Sequence, residues 1–175
     1  MSFTIEEMKP SDWPQVAAIY LAGIKTGLAT FQRDVPSWEK WDRDHFDTCR
    51  FVARSGDTIL GWAALTPASD RCAYAGVAEV SVYVSAAAKG QGVGTSLLTA
   101  LVQQSEENSI WTLQAGIIKE NAASRELHKK CGFREIGMRE RIGQMPDGQW
   151  HDVVLMERRS KLVGGPLLCG KERVL

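Results

Sequence analysis

The sequence predicts one α/β domain in which helices pack on a mixed sheet. Apolar runs of strand length and amphipathic segments of helical period follow in the order strand, two helices, three strands, helix, strand, helix, two strands. This order is not a strict βαβ repetition, so the sheet should not be purely parallel. The 175 residues suffice for one apolar core and are too few to argue for two. We expect a single domain over residues 1–160 and a loosely ordered extension over 161–175.

The first strand and the first helix are predicted within the N-terminal part of the chain. Residues 3–8 suit a short strand. Asp12 is a favourable N-cap, with Pro14 in the first turn and Gln15 three residues on, so a helix should begin here and end at Gly27. Its apolar stripe is formed by Trp13, Val16, Ala17, Tyr20, Leu21 and Ile24.

A second helix and three strands follow. The helix should begin near Pro36 and Ser37, and its apolar residues are Trp38, Trp41 and Phe46. The runs 50–54 and 58–65 read as a hairpin around Ser55, Gly56 and Asp57. Residues 77–84 alternate strictly, so we expect one face with Ala78 and three valines to pack. The opposite face, with Glu79, Ser81 and Tyr83, should carry functional groups.

The remaining elements lie on either side of a strand at residues 111–118. A helix precedes it, marked by an apolar stripe of Leu97, Leu98, Leu101 and Val102. A second helix over 121–130 follows and should end at Gly132. Two last strands are expected near 133–142 and 150–156.

Composition excludes several classes of protein. Lys and Arg together number 21, as do Asp and Glu, so no net charge attracts nucleic acid or a membrane surface. The four cysteines are far apart in the sequence, which argues against a metal site or a disulfide framework. The N-terminus resembles no signal peptide, and no apolar run has the length of a membrane span. We expect a cytoplasmic protein with reduced thiols.

A glycine-rich turn joins the strand 77–84 to the next helix, with the sequence Lys89-Gly90-Gln91-Gly92-Val93-Gly94. Glycines at a helix N-terminus leave amides accessible where the helix dipole is positive, which predicts an anion site suited to a diphosphate. The spacing excludes a Walker loop and fits a dinucleotide fingerprint poorly. A plain strand-to-helix turn is the alternative.

Two motifs in register resemble the GCN5-related N-acetyltransferases (GNAT). The turn fits their [QR]-x-x-G-x-[GA] signature, except that Lys89 stands where arginine or glutamine is usual. The segment Asn121–Phe133 fits their N-x-x-[SA]-x-x-[LF]-[YH]-x-x-x-G-F helix. Within this family, the sequence most resembles the phosphinothricin and methionine sulfoximine N-acetyltransferases at residues 78–84, 127–128 and 148–153. The resemblance spans 4–159.

This resemblance implies a GNAT fold with a mixed, mostly antiparallel sheet and helices on both faces, bound acetyl-CoA, no metal, and a homodimer. The central strand of the family bulges and parts from its neighbour, which would free main-chain groups for pantetheine. By resemblance, the acetyl-CoA site comprises Val82, Tyr83, Val84, Lys89, Gly90, Gln91, Gly92, Val93, Gly94, Thr95, Asn121 and Ser124. Asn121 and Ser124 have the alternative of capping their helix.

Two residues are candidates for proton transfer. Glu79 is our candidate general base, because an ammonium has no lone pair and a partly buried carboxylate of raised pKa can accept its proton. A solvated or salt-bridged strand glutamate is the alternative. His128 stands where many family members have a tyrosine that protonates the departing thiolate, with a hydrogen-bonded packing residue as the alternative.

The substrate candidates are Phe31, Arg71, Glu79, Val80 and Ser81, with Arg71 as a fork for a carboxylate. His151 and Asp152 either assist or pack, and His45 belongs to the surface or core. We expect transfer of acetyl to the α-amino group of a small glutamate-like amino acid, by direct attack in a ternary complex. The alternatives are another amine acceptor, such as a protein N-terminus or a polyamine, and a non-catalytic acyl-CoA-binding module.

Overall fold

Strands and helices follow one another in the predicted order in the computed structural model, which describes residues 2–165. The elements are β1 (Thr4–Glu7), α1 (Trp13–Lys25), α2 (Trp38–Asp44), β2 (Arg50–Ser55), β3 (Thr58–Pro67), β4 (Val77–Val84), α3 (Val93–Glu107), β5 (Thr112–Ile118), α4 (Ala122–Lys130), β6 (Arg134–Gln144) and β7 (Trp150–Arg159). Short 3₁₀ turns lie at Pro10–Asp12, Cys72–Tyr74 and Ala86–Ala88. Of the predicted extension, residues 166–175 lie outside the described range.

The sheet has the strand order β1-β2-β3-β4-β5-β7-β6. Every neighbouring pair is antiparallel except β4 and β5, which run parallel. The helices cover both faces, because α3 and Leu127 of α4 pack into one core cluster while α1 and α2 pack into the other. The predicted mixed, mostly antiparallel sheet between helices is therefore confirmed.

Aliphatic residues form the core on the α3 face. Leu97, Leu98 and Leu101 are all 0% exposed, which confirms the predicted helix stripe. Aromatic residues dominate the opposite face, where Trp41 and Trp62 are each 1% exposed and their rings meet edge to face at 5.7 Å. Stiff aromatic packing of this kind fixes the positions of the elements that contribute to it.

The helix α1 presents a different face from the predicted one. Val16 and Ile19 are buried, while Leu21, a member of the predicted stripe, is 39% exposed. Asp12 does not cap this helix: its carboxylate accepts hydrogen bonds from the Lys9 amide at 2.9 Å and from Arg54 at 2.7 Å. The ion pair with β2 occupies the carboxylate that the sequence pattern had assigned to the helix end.

Two other boundaries differ from prediction. The helix α2 begins as predicted, with Ser37 accepting a hydrogen bond from the Lys40 amide, but it ends at Asp44. Phe46 therefore lies beyond the helix, where its amide bonds to the carbonyl of Leu65 in β3. The last two strands run to Gln144 and Arg159, farther than predicted, because they pair with each other along most of their length.

The helices were compared with the length and apolar character of a membrane span. Within residues 2–165, none combines the length and the apolar character that crossing a bilayer requires.

Replacement of Leu101 by alanine should lower the free energy of unfolding by about 2–5 kcal/mol, because it opens a cavity in the α3 core. Leu162→Ala is the matched control, since that leucine is 81% exposed. Urea unfolding followed by tryptophan fluorescence measures both. A loss in Leu101→Ala no larger than in the control would contradict the packing described.

Candidate active site

A cleft opens where β4 and β5 part. The two strands pair only over Val77–Glu79 and Thr112–Gln114, whereas β5 remains paired with β7 along its whole length. Beyond Glu79 the strands enclose a cavity of about 840 Å³. Its walls include Glu79–Tyr83 from β4 and Ala115–Ile118 from β5. The predicted separation of the central strand from its neighbour is therefore confirmed.

No bulge accompanies this separation. The register of β3 and β4 continues without a shift from Gly61 opposite Val84 to Pro67 opposite Ala78. The predicted bulge is thus wrong, because the opening arises from the divergence of β5 rather than from an extra residue in β4.

The main-chain groups that face the cleft can be assigned from the antiparallel ladder. The Ser85 amide bonds to the Leu60 carbonyl at 2.8 Å, and the Ala68 amide bonds to the Val77 carbonyl at 3.1 Å. Hydrogen-bonded and non-hydrogen-bonded pairs alternate in such a ladder. The N–H and C=O groups of Val80, Val82 and Val84 therefore point away from β3, into the space that β5 has left.

Tyr83 contributes to the cleft differently from the prediction. Its main-chain groups face its partner Trp62 in β3, so they are not among those directed at the cleft. Its ring stacks on Trp62 at 4.8 Å and contacts Tyr20 at the same distance. Burial raises the pKa of the Tyr83 phenol, which keeps it neutral. The face predicted to carry functional groups is thus partly a packing face.

Glu79 lines the cleft directly opposite Thr66. It is exposed at the last residue pair before β4 and β5 part, which differs from the partly buried carboxylate that the sequence predicted. Within residues 2–165 it forms no ion pair, so the salt-bridged alternative is not observed. The carboxylate is therefore available to a ligand or to a bridging water.

The predicted substrate residues divide into two groups. Phe31, Val80 and Ser81 line the cleft, and the Phe31 ring lies so close to Gly143 of β6 that a Cβ there would be 2.5 Å from it. Arg71 lines neither this cleft nor the cavity beside it, because it is exposed in the loop before the Cys72–Tyr74 turn. Its assignment to the substrate site is not supported.

Arg33 occupies the place that was expected for Arg71. It lines the cleft and also a neighbouring cavity of about 400 Å³ between the loop after α1 and the β6–β7 turn. It forms no ion pair in the described part of the chain. Sequence analysis missed it because the segment around Phe31 has no periodicity, although loops often carry binding residues.

The glycine turn has the backbone geometry of an anion site. Gly90 and Gly92 have φ values of 76° and 82°, and a Cβ at either would meet nothing within 4 Å. The first amide bonded along α3 is that of Ser96, which donates to the Gly92 carbonyl, so the preceding amides of Val93, Gly94 and Thr95 have no partner in residues 2–165. Lys89 and Gln91 are exposed beside them.

Gly94 has a packing role in addition. A Cβ there would lie 3.1 Å from the Leu127 side chain and 3.5 Å from that of Val84. Its small size lets the start of α3 lie against both α4 and the end of β4. The turn itself is not part of the cleft lining, but it directly follows the strand whose free main-chain groups enter the cleft.

Asn121 and Ser124 hold the start of α4, as the capping alternative predicted. The Asn121 side chain accepts a hydrogen bond from the Ser124 amide and donates one to the Leu28 carbonyl, both at 3.2 Å. It thereby ties the loop after α1 to α4. Both residues also line the cleft, so capping leaves room for contact with a ligand.

His128 is buried in the cleft wall and edge-on to the Phe133 ring. Its Nδ1 lies 2.7 Å from the Ser124 carbonyl, which only accepts, so the proton is on Nδ1. Its Nε2 is buried and has no partner within residues 2–165. Burial lowers the pKa of His128, which favours the neutral ring. In this state Nε2 of His128 has a lone pair, whereas the sequence predicted a ring that donates a proton to the departing thiolate.

His45 also lines the cleft, although sequence analysis gave it no functional role. Its ring stacks on Trp41 at 3.9 Å, and its Nδ1 lies 2.6 Å from the Trp41 carbonyl. Burial lowers the pKa of His45 to about 4, against the opposing effect of that hydrogen bond. The imidazole is therefore neutral near pH 7.

The remaining candidates are fixed by local contacts. Asp152 accepts hydrogen bonds from Lys119 at 3.2 Å and from the Arg141 amide at 2.8 Å, which matches the packing alternative. His151 lies 3.3 Å from Glu120 and lines the smaller cavity. Within residues 2–165, no cluster of three or more His, Cys, Asp or Glu side chains is arranged to hold a metal ion.

Comparison with known proteins gives consistent matches. The acetyltransferase (GNAT) family model matches residues 13–133. A phosphinothricin N-acetyltransferase of Alcaligenes faecalis is 33% identical over 165 residues, which cover 89% of this chain and 81% of that protein. An L-methionine sulfoximine/L-methionine sulfone acetyltransferase of Pseudomonas aeruginosa is 28% identical, covering 90% and 94% of the two chains.

Two solved structures share the fold over nearly their whole length. A ribosomal-protein-alanine N-acetyltransferase from Brucella melitensis is 31% identical with a TM-score of 0.82, covering 90% of this chain and 99% of its own. A phosphinothricin acetyltransferase from Sinorhizobium meliloti in complex with acetyl-CoA is 25% identical with a TM-score of 0.83, covering 94% and 95%.

The lowered pKa of His45 makes stability depend on pH in a defined direction. His45 binds a proton near pH 6.5 in the unfolded chain and only near pH 4 in the folded protein. The neutral imidazole therefore contributes to the free energy of unfolding, and this contribution is complete above pH 6.5 and is lost as the pH falls. Between pH 7 and pH 5 it amounts to about 2 kcal/mol. His45→Phe should lose that much less stability than the parent over this interval, as measured by urea unfolding. Equal losses would contradict a neutral imidazole in the folded protein.

Proposed function

Because this chain belongs to the acetyltransferase (GNAT) family and is an acetyl-CoA-dependent acyltransferase, we propose that it acetylates the α-amino group of a small glutamate-like amino acid, such as phosphinothricin or methionine sulfoximine. The observation that carries the proposal is the cleft between β4 and β5, where free main-chain groups and the Glu79 carboxylate belong to one strand. The names of the two relatives, which match nearly the whole chain, support the class of acceptor.

The cofactor would lie along the end of β4 and the start of α3. The free main-chain groups of Val82 and Val84 suit the amides of pantetheine, as an added strand would. The amides of Val93, Gly94 and Thr95 suit the diphosphate, and Lys89 adds a positive charge beside them. Asn121 and Ser124 line the opposite wall of the cleft. Acetyl-CoA, when bound there, supplies the activated acyl group.

The chemistry we propose is direct attack in a ternary complex. The acceptor nitrogen attacks the thioester carbonyl carbon, the C–S bond breaks, and the sulfur leaves as thiolate. Glu79 removes one ammonium proton directly or through a water, and a second N–H proton passes to the departing thiolate as the amide forms. Support comes from the cysteines: neither Cys49, Cys72 nor Cys131 lines the cleft, and burial raises the pKa of Cys49 to about 11. Cys169 lies outside the described residues.

Recognition of an acidic acceptor falls to the loop after α1. Arg33 is the unpaired cation of this loop and suits a carboxylate, which it would bind through its planar fork. Phe31 and Val80 would contact the acceptor's aliphatic part. The homodimeric state, the cytoplasmic location and a resistance-type activity are further parts of the proposal, and they rest on the resemblance.

A protein N-terminus is a second candidate acceptor. The similarity to a ribosomal-protein-alanine N-acetyltransferase favours it, and so does the smaller cavity beyond Arg33, which offers space for residues that follow the amine. A single amino acid would leave that cavity unused. If a protein N-terminus is the acceptor, a longer peptide should therefore be acetylated faster than a single amino acid; if a single amino acid is the acceptor, lengthening it should give no gain.

Gly92→Ala should raise the KM for acetyl-CoA about tenfold, the effect of losing one hydrogen bond to a charged group. An alanine at φ 82° strains the turn and displaces its amides. Gly56→Ala is the matched control, since Gly56 has φ 57° and equally open surroundings but lies in the β2–β3 hairpin. A similar rise of the KM in both variants would argue against the anion site.

Glu79→Gln should lower kcat about 10²- to 10⁴-fold in a CoA-release assay. The assay uses phosphinothricin, methionine sulfoximine, a short peptide with an N-terminal alanine, and a polyamine. Glu7→Gln, an exposed glutamate of the edge strand β1, is the control and should retain activity. Turnover of the peptide or the polyamine but of no α-amino acid would refute the proposed acceptor class. Binding of CoA without any turnover would refute acetyl transfer itself.

A further inference from the structure

His45 lines the cleft and belongs to a tightly fixed segment of the main chain. The amide of the next residue, Phe46, donates to the Leu65 carbonyl at 3.0 Å, which attaches this segment to β3. The carbonyl of His45 itself accepts a hydrogen bond from Arg50 at 3.1 Å. Arg50 is 8% exposed and also bonds to Asp42 and Phe46. The main chain at His45 is thereby held from two sides.

The imidazole ring is fixed as well. It stacks on Trp41 with an interplanar angle of 19°. Its Nδ1 faces the Trp41 carbonyl at 2.6 Å, and since a carbonyl only accepts, the ring proton is on Nδ1. The other nitrogen, Nε2, consequently has a lone pair. Within residues 2–165, no protein hydrogen bond to Nε2 is formed.

Two further hydrogen-bond acceptors of the cleft lining are connected to His45 through β3. Thr66, the cross-strand partner of Glu79, follows Leu65, to which the segment of His45 is attached. His45, Thr66 and Glu79 all line the cleft. Lys40 also lines it, but its ammonium is held by Asp44 at 2.6 Å. An imidazole lone pair, a hydroxyl oxygen and a carboxylate in one cleft can all accept hydrogen bonds from an ammonium group.

We propose that His45 is a binding residue for the acceptor's amino group, which donates one N–H to Nε2 of the imidazole. This inference rests on the proposed function to the extent that the acceptor is a primary amine. An ammonium has three N–H bonds, so His45 can hold one while Glu79 takes the proton of another. No bond breaks at His45, and its role is to direct the nitrogen lone pair toward the thioester.

Two substitutions separate this role from support of the fold. Asparagine places its amide near the position of Nδ1, so it can keep the bond to the Trp41 carbonyl while removing the acceptor in the cleft. Glutamine reaches the position of Nε2, so it keeps an acceptor in the cleft while losing the helix bond. Arg43→Gln is the control, because Arg43 is exposed on the last turn of α2, two residues before His45, and does not line the cleft.

His45→Asn should raise the KM for the acceptor about tenfold or more, as expected for a lost hydrogen bond to a charged group. Its KM for acetyl-CoA should stay near that of the parent, and its melting temperature should stay above that of His45→Gln, because both variants lose the ring stack on Trp41 but only asparagine keeps the bond to the Trp41 carbonyl. His45→Gln should melt lower than the parent yet keep an acceptor KM close to it. Arg43→Gln should change neither constant. If acceptor KM instead follows melting temperature across the variants, His45 is only structural and the proposal fails.

A measurement without turnover tests the tautomer. The chain has three histidines, so ¹⁵N NMR spectra of the parent and His45→Asn identify the His45 signals. We expect an unprotonated Nε2 that shifts when CoA and an accepted amine are added together. A protonated Nε2, or no shift with any amine of the panel, would overturn the proposal.

The outcomes for His45 and for the proposed acceptor are distinguishable. If the protein acetylates a peptide or a polyamine and no α-amino acid, the proposed acceptor class fails. The same variants assayed with that amine still test His45, because every acceptor of the panel shares the amino group.

Discussion

The divergence of β4 and β5 is the constraint on which the site depends. Three residues of each strand pair, and then β5 follows β7 instead. In most sheets the main-chain groups of a central strand would all be bonded within the sheet. Here Val80, Val82 and Val84 keep theirs for a ligand, while β3 holds the other edge of β4 in an unbroken register. The result is a binding edge in the middle of a stable sheet.

Main-chain carbonyls set the chemistry of the two imidazoles that line the cleft, of which His128 is buried and His45 half-buried. The Trp41 carbonyl fixes the proton of His45 on Nδ1, and the Ser124 carbonyl does the same for His128. Both rings line the same cleft, and burial lowers the pKa of both. Each ring therefore offers a lone pair near pH 7. Two such lone pairs suit a ligand that donates hydrogen bonds, as the proposed amine acceptor would.

The loop after α1 forms part of the cleft wall, and distant contacts hold it in place. The loop after α1 is attached to α4 through Asn121 and Leu28, which are 93 positions apart. Phe31 of the same loop packs on Gly143 in β6, where any side chain would collide with its ring. Arg33 follows Phe31 and so reaches both cavities. In the proposed function, variation in this loop would change the acceptor without disturbing the strands proposed to hold the cofactor.

Sequence alone determined the order of the elements, the bounds of β4, the glycine turn and the helix cap at Asn121. These features depend on local periodicity, turn chemistry and spacing, which are present in any short window of the chain. Family membership also followed from two local motifs in register. Tertiary structure decided which face α1 buries and which residues of β4 direct main-chain groups at the cleft. It also decided that Arg33 lines the cleft while Arg71 does not, and which ring nitrogen of His45 and of His128 carries the proton. Each of these depends on a partner distant in sequence or on the exact path of the backbone, because strand register, burial and a carbonyl's direction are properties of the assembled fold.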